Sequence, residues 1–273
     1  MTEELIDRIR SIPPLPETFI QIDAICSSPN GTISELSKVV EKDPMLVANI
    51  LKLVNSPLYG LRSEVRSVAQ AVSLLGMKEI NSLSATISVK KLLKVDMEPY
   101  GIEPERFALI SNMQGALIKK WVGKIDKEKA ETLFMPALLQ ETGKIIIADE
   151  IVTNDEVFQF KSDIETAVNI AQIERMYVDT TSSEVTAKIF EHWGFDEFLV
   201  EIIRYSDHPE DADDEYKEYA TYLNIAKIAL AINAPISQRN ITIALNHAEK
   251  EGLDSEKLNE AIEALKESYE GEI

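Results

Sequence analysis

The stretch Asp43-Pro-Met-Leu-Val-Ala-Asn-Ile-Leu-Lys-Leu-Val-Asn-Ser-Pro-Leu-Tyr-Gly60 carries the clearest fold signal in the sequence. Asp43 is a favoured N-cap residue, and Pro44 suits the first helical position because the N–H that it lacks would have no partner there. Apolar residues then recur at helical spacing and form one stripe: Leu46, Val47, Ile50, Leu51 and Val54. Pro57 ends the pattern, since proline disfavours helical geometry in the residue before it. The stretch predicts a helix over 45–54.

Helix signals recur on both sides of this stretch, whereas the alternation typical of strands does not. A Ser or Thr stands three positions before a Glu or Gln at the head of three apolar segments, which is capping-box spacing. The pairs are Thr32 with Glu35, Ser67 with Gln70, and Thr181 with Glu184. Gly76 follows the apolar segment 68–75 in the position that usually ends a helix, and a long helical pattern covers 78–95. The sequence predicts an all-α fold.

A break in the helical pattern at 96–101, which contains Pro99 and Gly101, predicts a division into two lobes. Residues 1–100 would form an N-terminal helical lobe and residues 101–273 a C-terminal helical lobe. Charge divides in the same place: residues 34–95 hold nine basic and five acidic residues, whereas the whole chain carries −19. We therefore expect a basic face on the first lobe, formed by Lys38, Lys42, Lys52, Arg62 and Arg66.

Composition excludes several classes of partner. With 47 acidic and 28 basic residues, the chain repels phosphate backbones and anionic membrane surfaces, so we expect neither nucleic acid nor membrane as a partner. The single Cys26 cannot form an intrachain disulfide, and the first residues do not resemble a secretory signal, so a cytoplasmic protein is expected. The longest apolar runs, 145–148 and 228–232, are too short to span a bilayer.

Residues 138–144 read Leu-Leu-Gln-Glu-Thr-Gly-Lys. This run resembles the motif helix of the HD phosphohydrolase superfamily, in which adjacent His and Asp residues bind a divalent metal. Gln140 and Glu141 stand at those two positions. A carboxamide is a poor replacement for imidazole at a transition-metal site, so we predict the scaffold of such an enzyme without its catalyst.

A wider resemblance rests on Leu15-Pro16, on Asp43–Gly60, on Ser67–Gly76 and on 138–144, which occur in the right order. With these motifs the chain, from about Ile12 to the 260s, resembles the HDOD family, the HD-related output domains of bacterial signalling proteins. The resemblance implies a two-lobed, HD-like helical fold in which both lobes form one module.

The resemblance also implies where other vestigial positions lie. Many family members keep His where this chain has Ser182, and a His pair where it has Ser206-Asp207. An upstream His of the HD enzymes would fall near Ser111 or Asn112. This chain has only three histidines, which are too few for a hydrolytic HD site, so we expect no catalytic residues, no metal and no cofactor.

A residual cation site is the alternative. Glu141, Asp207, His208 and Asp211 could gather around a hard cation such as Mg²⁺, which prefers oxygen ligands. In the plainer interpretation, which we favour, Glu141 is solvated or hydrogen-bonded and the acidic stretch 207–218 is a charged surface.

The loop Asn55–Arg66 is a candidate partner or ligand loop, through Asn55, Ser56, Tyr59, Arg62 and Arg66. The arginines could bind a phosphate or carboxylate, and Tyr59 could stack on a base. Alternatively, Asn55 and Ser56 satisfy helix-end carbonyls, Tyr59 fills the interface between the lobes, and the arginines are solvated.

The function predicted from sequence is therefore a non-catalytic signal-transduction module, a pseudoenzyme that contacts a signalling protein in trans. One alternative is a metal-dependent phosphohydrolase or phosphodiesterase acting on a nucleotide signal. A second is a domain that binds a small nucleotide in the vestigial cleft without hydrolysing it.

Overall fold

The computed structural model describes residues 1–61, 63–93, 96–167 and 169–269. These residues form helices and turns, with no strand among them, which confirms the all-α prediction. The first half contains α1 (Glu3–Ser11), α2 (Glu17–Ser27), α3 (Ile33–Val40), α4 (Pro44–Val54), α5 (Val68–Leu75) and α6 (Met77–Leu92). The second contains α7 (Pro104–Trp121), α8 (Lys127–Leu139), α9 (Gly143–Thr153), α10 (Val157–Thr166), α11 (Ile170–Val178), α12 (Ser182–His192), α13 (Glu197–Arg204), α14 (Asp214–Ala229), α15 (Gln238–Lys250) and α16 (Ser255–Ser268).

Most of the predicted helix signals act as expected. Asp43 Oδ1 accepts hydrogen bonds from the backbone N–H groups of Met45 and Leu46, at 3.0 and 3.1 Å, so it caps α4. The boxes of Thr32 with Glu35 and of Thr181 with Glu184 are both complete. The Ser67 hydroxyl caps α5, but the Gln70 side chain accepts from Arg66 N instead of closing the box. Gly76, at φ +87°, ends α5 and precedes α6.

Helix α6 links the two halves, because it packs on α2, α4 and α5 and also on α8. Buried apolar side chains from Leu5 to Tyr269 belong to one continuous core cluster. The predicted break at 96–101 contains a 3-10 turn, Glu98–Tyr100, which packs against α9 and α10 and buries Pro99 and Tyr100. The division at residue 100 stays a prediction.

Helix α1 packs on α9 and α12, within the second half of the chain. Its Arg8 pairs with two carboxylates of α9, with Asp149 and, at 2.8 Å, with Glu150. The N-terminal helix therefore braces the helix that follows the Gln140-Glu141 motif.

Helices α9 and α12 approach so closely that a side chain at Gly143 would not fit. A Cβ at Gly143 would lie 2.2 Å from Ser182 O and 2.9 Å from Thr186 N. The Gly143 N–H instead donates to Thr186 Oγ1 at 2.8 Å. This contact sets the first turn of α9, with Lys144, against the first turn of α12.

Among the described residues, no helix is both long enough and apolar enough to cross a membrane.

Candidate functional site

Five charged side chains meet between α8, α9, α11, α12 and α14, and we call them the ion-pair cluster. Glu141 follows α8, Lys144 lies in the first turn of α9, Glu174 in α11, Asp207 in a 3-10 turn, and Lys227 in α14. Their side chains are 5%, 3%, 0%, 8% and 9% exposed, in that order. Charged groups this deeply buried require partners, because desolvation of an isolated ion is costly.

Lys144 lies at the centre of the ion-pair cluster. Its Nζ lies 2.6 Å from Glu174 Oε1, 2.8 Å from Ser182 Oγ and 3.2 Å from Glu141 Oε2. Glu174 also accepts from Tyr100 OH at 2.9 Å and from the backbone N–H of Ser182 at 2.6 Å. The Tyr100 ring centroid lies 5.3 Å from Lys144 Nζ. The ammonium is thus enclosed by two carboxylates, a hydroxyl and an aromatic face.

Lys227 extends the network to the far side of Glu141. Its Nζ lies 2.5 Å from Asp207 Oδ1 and 4.0 Å from Glu141 Oε2. Asp207 Oδ2 accepts from the Ser183 N–H at 3.3 Å, at the start of α12. Glu141 therefore lies between two ammonium groups.

Side-chain amides connect the remaining motif positions to the ion-pair cluster. Gln114 Nε2 donates to Glu141 Oε1 at 3.1 Å, and Gln114 Oε1 accepts from Gln140 Nε2 at 2.8 Å. Ser206 takes part through its carbonyl oxygen, which accepts from Asn224 Nδ2 at 2.7 Å, while its hydroxyl has no hydrogen-bond partner among the described residues. The structure thus brings Gln140, Glu141, Ser182 and Asp207 together and places Ser206 at the margin. Their descent from the metal-binding positions of an HD enzyme stays a prediction.

The charges of the cluster stabilise one another. Burial would raise the pKa of Glu141, but Lys144 and Lys227 outweigh it and hold that pKa below its ordinary value. Burial would likewise raise the pKa of Asp207, yet the same two lysines hold it well below the usual range. For Lys144, burial opposes the charged form, and Glu141, Glu174 and Asp207 together raise the pKa. Three carboxylates and two ammonium groups leave the cluster with a formal charge of −1.

This donor set does not fit the metal of an HD phosphohydrolase. Among the described residues, no group of three or more His, Cys, Asp or Glu side chains is arranged to hold a metal ion. The carboxylates that remain are bound to lysines, whose ammonium groups would repel a cation. Glu141 and Asp207 come together as the Mg²⁺ alternative required, but Asp211 lines a different cavity, beside Arg175 and Arg204.

One part of the plainer interpretation is wrong. The acidic stretch 207–218 was expected to be a solvated surface, and its acidic residues from Glu210 onward are indeed exposed. The side chain of its first residue, Asp207, is only 8% exposed, because Lys227 and the Ser183 N–H replace water around its carboxylate. The rest of that interpretation holds for Glu141, which is hydrogen-bonded to Gln114.

Sequence reasoning missed three residues of the site: Tyr100, Gln114 and Lys227. The match of Ser111 or Asn112 to an upstream His of the HD enzymes stays a prediction. Ser111 Oγ donates a hydrogen bond to Phe107 O, and it is Gln114, further along α7, that reaches the motif. Lys227 had a detectable signal, because it and Asn224 are polar residues within the otherwise apolar run 223–230.

The Asn55–Arg66 loop makes mainly internal contacts. Asn55 Nδ2 donates to the carbonyls of Leu51 and Val65, at 2.8 and 2.9 Å, and Asn55 Oδ1 accepts from the Val65 N–H. Ser56 Oγ donates to Leu53 O. The bonds to Leu51 O and Leu53 O are the helix-end bonds of the alternative interpretation, and the two bonds to Val65 close the loop.

Tyr59 of this loop reaches α6 and α7, whereas Arg66 stays at the surface. The Tyr59 hydroxyl donates to Glu79 Oε1 at 2.6 Å, and Lys119 Nζ lies 2.8 Å from the same oxygen. We call Tyr59, Glu79 and Lys119 the cleft-edge cluster, because Glu79 and Lys119 line a surface cavity between α6, α7 and α8 that is separate from the ion-pair cluster. Arg66 is exposed beside Glu64, and Arg62 lies outside the described residues. A role of this loop in binding a partner or ligand stays a prediction.

Comparison with known proteins finds one family model and one related protein that match most of this chain. The sequence model of the HDOD domain matches residues 12–209. A protein of Treponema pallidum (strain Nichols) is 22% identical over 233 residues, which cover 84% of this chain and 44% of that protein. The chain thus spans less than half the length of this curated relative.

Solved structures share the fold over nearly the whole chain. A virulence factor from Campylobacter jejuni subsp. jejuni is 25% identical, with 99% of this chain and 98% of that chain covered and a TM-score of 0.58. A protein of Marinobacter aquaeolei VT8, provisionally described as a signal transduction protein, is 24% identical with a TM-score of 0.71, covering 98% of this chain and 60% of that one. A provisional phosphohydrolase from Shewanella amazonensis SB2B is 22% identical with a TM-score of 0.68, covering 98% of both. The last two show the fold alone.

Proposed function

We propose that this chain, which belongs to the HDOD family, is a non-catalytic signalling module that acts through contacts with a partner protein. One observation carries the first half of the proposal. The carboxylates nearest the former metal-binding motif bind Lys144 and Lys227, and the imidazole position holds Gln140, which is hydrogen-bonded to Gln114.

The chemistry of this arrangement argues against hydrolysis. HD-type hydrolysis needs a metal to lower the pKa of a bound water and to neutralise phosphate charge. A lysine ammonium can neutralise charge, but it cannot generate hydroxide at neutral pH. The two lysines here are already neutralised by Glu141, Glu174 and Asp207. The metal-dependent phosphohydrolase alternative is therefore not favoured.

Catalysis is tested with the purified protein and added Mn²⁺ or Mg²⁺. We expect no turnover of generic phosphodiester and nucleotide substrates and no calorimetric heat from either metal. An active HD phosphohydrolase serves as the positive control. Stoichiometric metal binding together with turnover of a phosphate ester would contradict the proposal.

The second half of the proposal concerns the basic face of the first half of the chain. Lys38, Lys42 and Lys52, on or beside α3 and α4, are exposed and have no acidic side chain at ion-pair distance among the described residues. Surface lysines without an ion-pair partner in the described part of the chain, on a chain of otherwise strongly negative charge, favour an acidic partner. Met45, in the first turn of α4, adds an exposed apolar side chain to this half. Such complementarity acts mainly on the rate of association.

The docking face is tested with the triple variant Lys38→Glu, Lys42→Glu and Lys52→Glu. A control variant carries the same reversals at the exposed Lys127, Lys161 and Lys250, in the second half of the chain. After affinity capture identifies a partner from the native cytoplasm, association rates are measured for each variant at low and high salt. We expect the first triple to slow association at least about tenfold at low salt and the control to change it little. Equal rates for both variants would rule out this face.

A further inference from the structure

A cleft of about 380 Å³ opens beside the ion-pair cluster. One part of its lining is apolar and comes from α11, from α14 and the residues just after it, and from α15: Ile170, Ile228, Ala231, Ile232 and Ile243. Polar and charged side chains form the rest, among them His208, Glu210 and His247. Small-molecule sites in proteins begin at about 300 Å³ and combine apolar walls with a few convergent polar groups. The cleft therefore has room for one small ligand.

Two side chains of α14, one helical turn apart, supply the polar groups. Lys227 has three ammonium donors, and only Asp207 Oδ1 lies within hydrogen-bond distance among the described residues. Asn224 gives one amide hydrogen to Ser206 O, and its Oδ1 has no partner within the described part of the chain. Both residues line the cleft and are nine-tenths buried. A donor and an acceptor that are both available to a ligand thus line the same cleft, one helical turn apart.

Charge selects against an anionic ligand. The ion-pair cluster beneath the cleft has a formal charge of −1, and Glu210 adds a further carboxylate to the lining. Lys144 and Lys227 therefore offer no net positive potential to a phosphate. The balance of charge around the cleft therefore suits an uncharged ligand.

We infer that the cleft binds a small uncharged heterocycle whose edge carries a hydrogen-bond donor next to an acceptor, as nucleobases do. The acceptor of the ligand takes a hydrogen from Lys227 Nζ, its donor gives one to Asn224 Oδ1, and the ring packs between the isoleucines. Binding here supplies the module with a small-molecule input. Ligand binding in the cleft goes beyond the proposed signalling role and does not depend on it. The metal test adds Mn²⁺ or Mg²⁺ and the docking test changes surface lysines, and neither measures binding of a base in the cleft.

The test is calorimetric titration of the purified protein with adenine, hypoxanthine and uracil. Caffeine is the matched control, because it has the purine ring system without any N–H. We expect at least one of the three bases to bind and caffeine to bind at least about tenfold more weakly, a difference of one good hydrogen bond. We also expect the nucleoside of the bound base to bind more tightly than its monophosphate.

Two variants locate the binding. Ala231→Phe fills the cleft and should abolish binding, whereas Thr242→Phe, at an exposed position of α15 next to Ile243, should leave it unchanged. Far-UV circular dichroism and thermal melting check that each variant folds. If Ala231→Phe does not fold, Ile243→Trp obstructs the cleft from a half-exposed position. The inference is overturned if no base binds at millimolar concentration, if caffeine or the monophosphate binds as tightly, or if binding survives the obstruction.

Discussion

Two buried carboxylate sites in this molecule are neutralised in different ways. In the cleft-edge cluster, Glu79 is balanced by Lys119, whose side chain is 35% exposed and reaches inward from the surface. In the ion-pair cluster, Glu141 and Glu174 are balanced by Lys144, which is only 3% exposed. The first lysine keeps access to water, whereas the second has exchanged nearly all its hydration for protein groups.

The difference determines how each site responds to change. A partly exposed ion pair contributes little, because water and salt screen both charges. A sealed network contributes little net free energy while intact, but removal of one member leaves its partners charged and without water. The ion-pair cluster should therefore behave as one unit, and the cleft-edge cluster as separable contacts.

The largest effect is expected when Lys144 is replaced by methionine, which keeps the length of the side chain and removes its charge. Glu141 and Glu174 would then face each other without their shared ammonium group. We expect the free energy of unfolding to fall by about 3–5 kcal/mol, as measured by urea denaturation.

The double variant Lys144→Met with Glu174→Gln serves as the control. It removes one of the stranded carboxylates, so part of the stability should return. With the single variant Glu174→Gln it completes a double-mutant cycle, in which additive losses would show that the cluster does not act as a unit.

The next effect is expected at Gly143, which lets α9 approach α12. A Cβ there would lie 2.2 Å from Ser182 O, a backbone atom that cannot move away cheaply. Gly143→Ala should cost about 1–3 kcal/mol or more, although alanine ordinarily favours a helix. The matched control is Gly123→Ala, where the nearest atom, Ala130 Cβ, is 3.7 Å away. Equal stability of the two variants would disprove the close approach.

A smaller effect is expected for Lys119→Met in the cleft-edge cluster. Glu79 would keep the hydrogen bond from Tyr59, and the surface cavity that it lines would admit water to its carboxylate. We expect a loss of about 1 kcal/mol in urea denaturation, weakening further at high salt. A loss as large as that of Lys144→Met would remove the distinction between the two clusters.

The smallest effect is expected from pH within the neutral range. The folded-state pKa values of Glu141 and Asp207 are lowered, so their stabilisation is present above the unfolded values of about 4 and is lost as pH falls through the folded ones. The pKa of Lys144 is raised, so its contribution is complete below about pH 10 and is lost as pH rises through the folded value. The difference in unfolding free energy between the native protein and Glu141→Gln should therefore be constant from about pH 5 to 9 and shrink in acid. A change in this difference near pH 7 would contradict these assignments.

The sequence predicted best what short segments determine. The cap of α4 by Asp43 and the boxes at Thr32 and Thr181 depend on residues within four positions of one another, so local pattern was sufficient. The box at Ser67 failed in part because Gln70 found a competing donor, Arg66 N, next to the intended one.

The site was only half predictable, for a related reason. Gln140 and Glu141 lie in a continuous motif, so the sequence identified them. Tyr100 meets Glu174 across 74 positions of the chain, and no local pattern records that contact. The burial of Asp207 was missed because a run of acidic residues is typical of a surface, and its counter-charge, Lys227, lies on another helix.

The hydrogen bonds of Asn55 have a practical consequence for protein engineering. The side-chain amide of Asn55 hydrogen-bonds to both the N–H and the C=O of Val65 and so closes the loop at its base. The ends of the neighbouring helices therefore do not depend on the length of the loop. Lengthening such a tied loop costs little entropy, about 0.6 kcal/mol for each doubling. An epitope or a dye-labelling peptide grafted at Gly60, where φ is +54° and nothing lies within 4 Å of an added Cβ, would report on this surface without disturbing the helices beneath it.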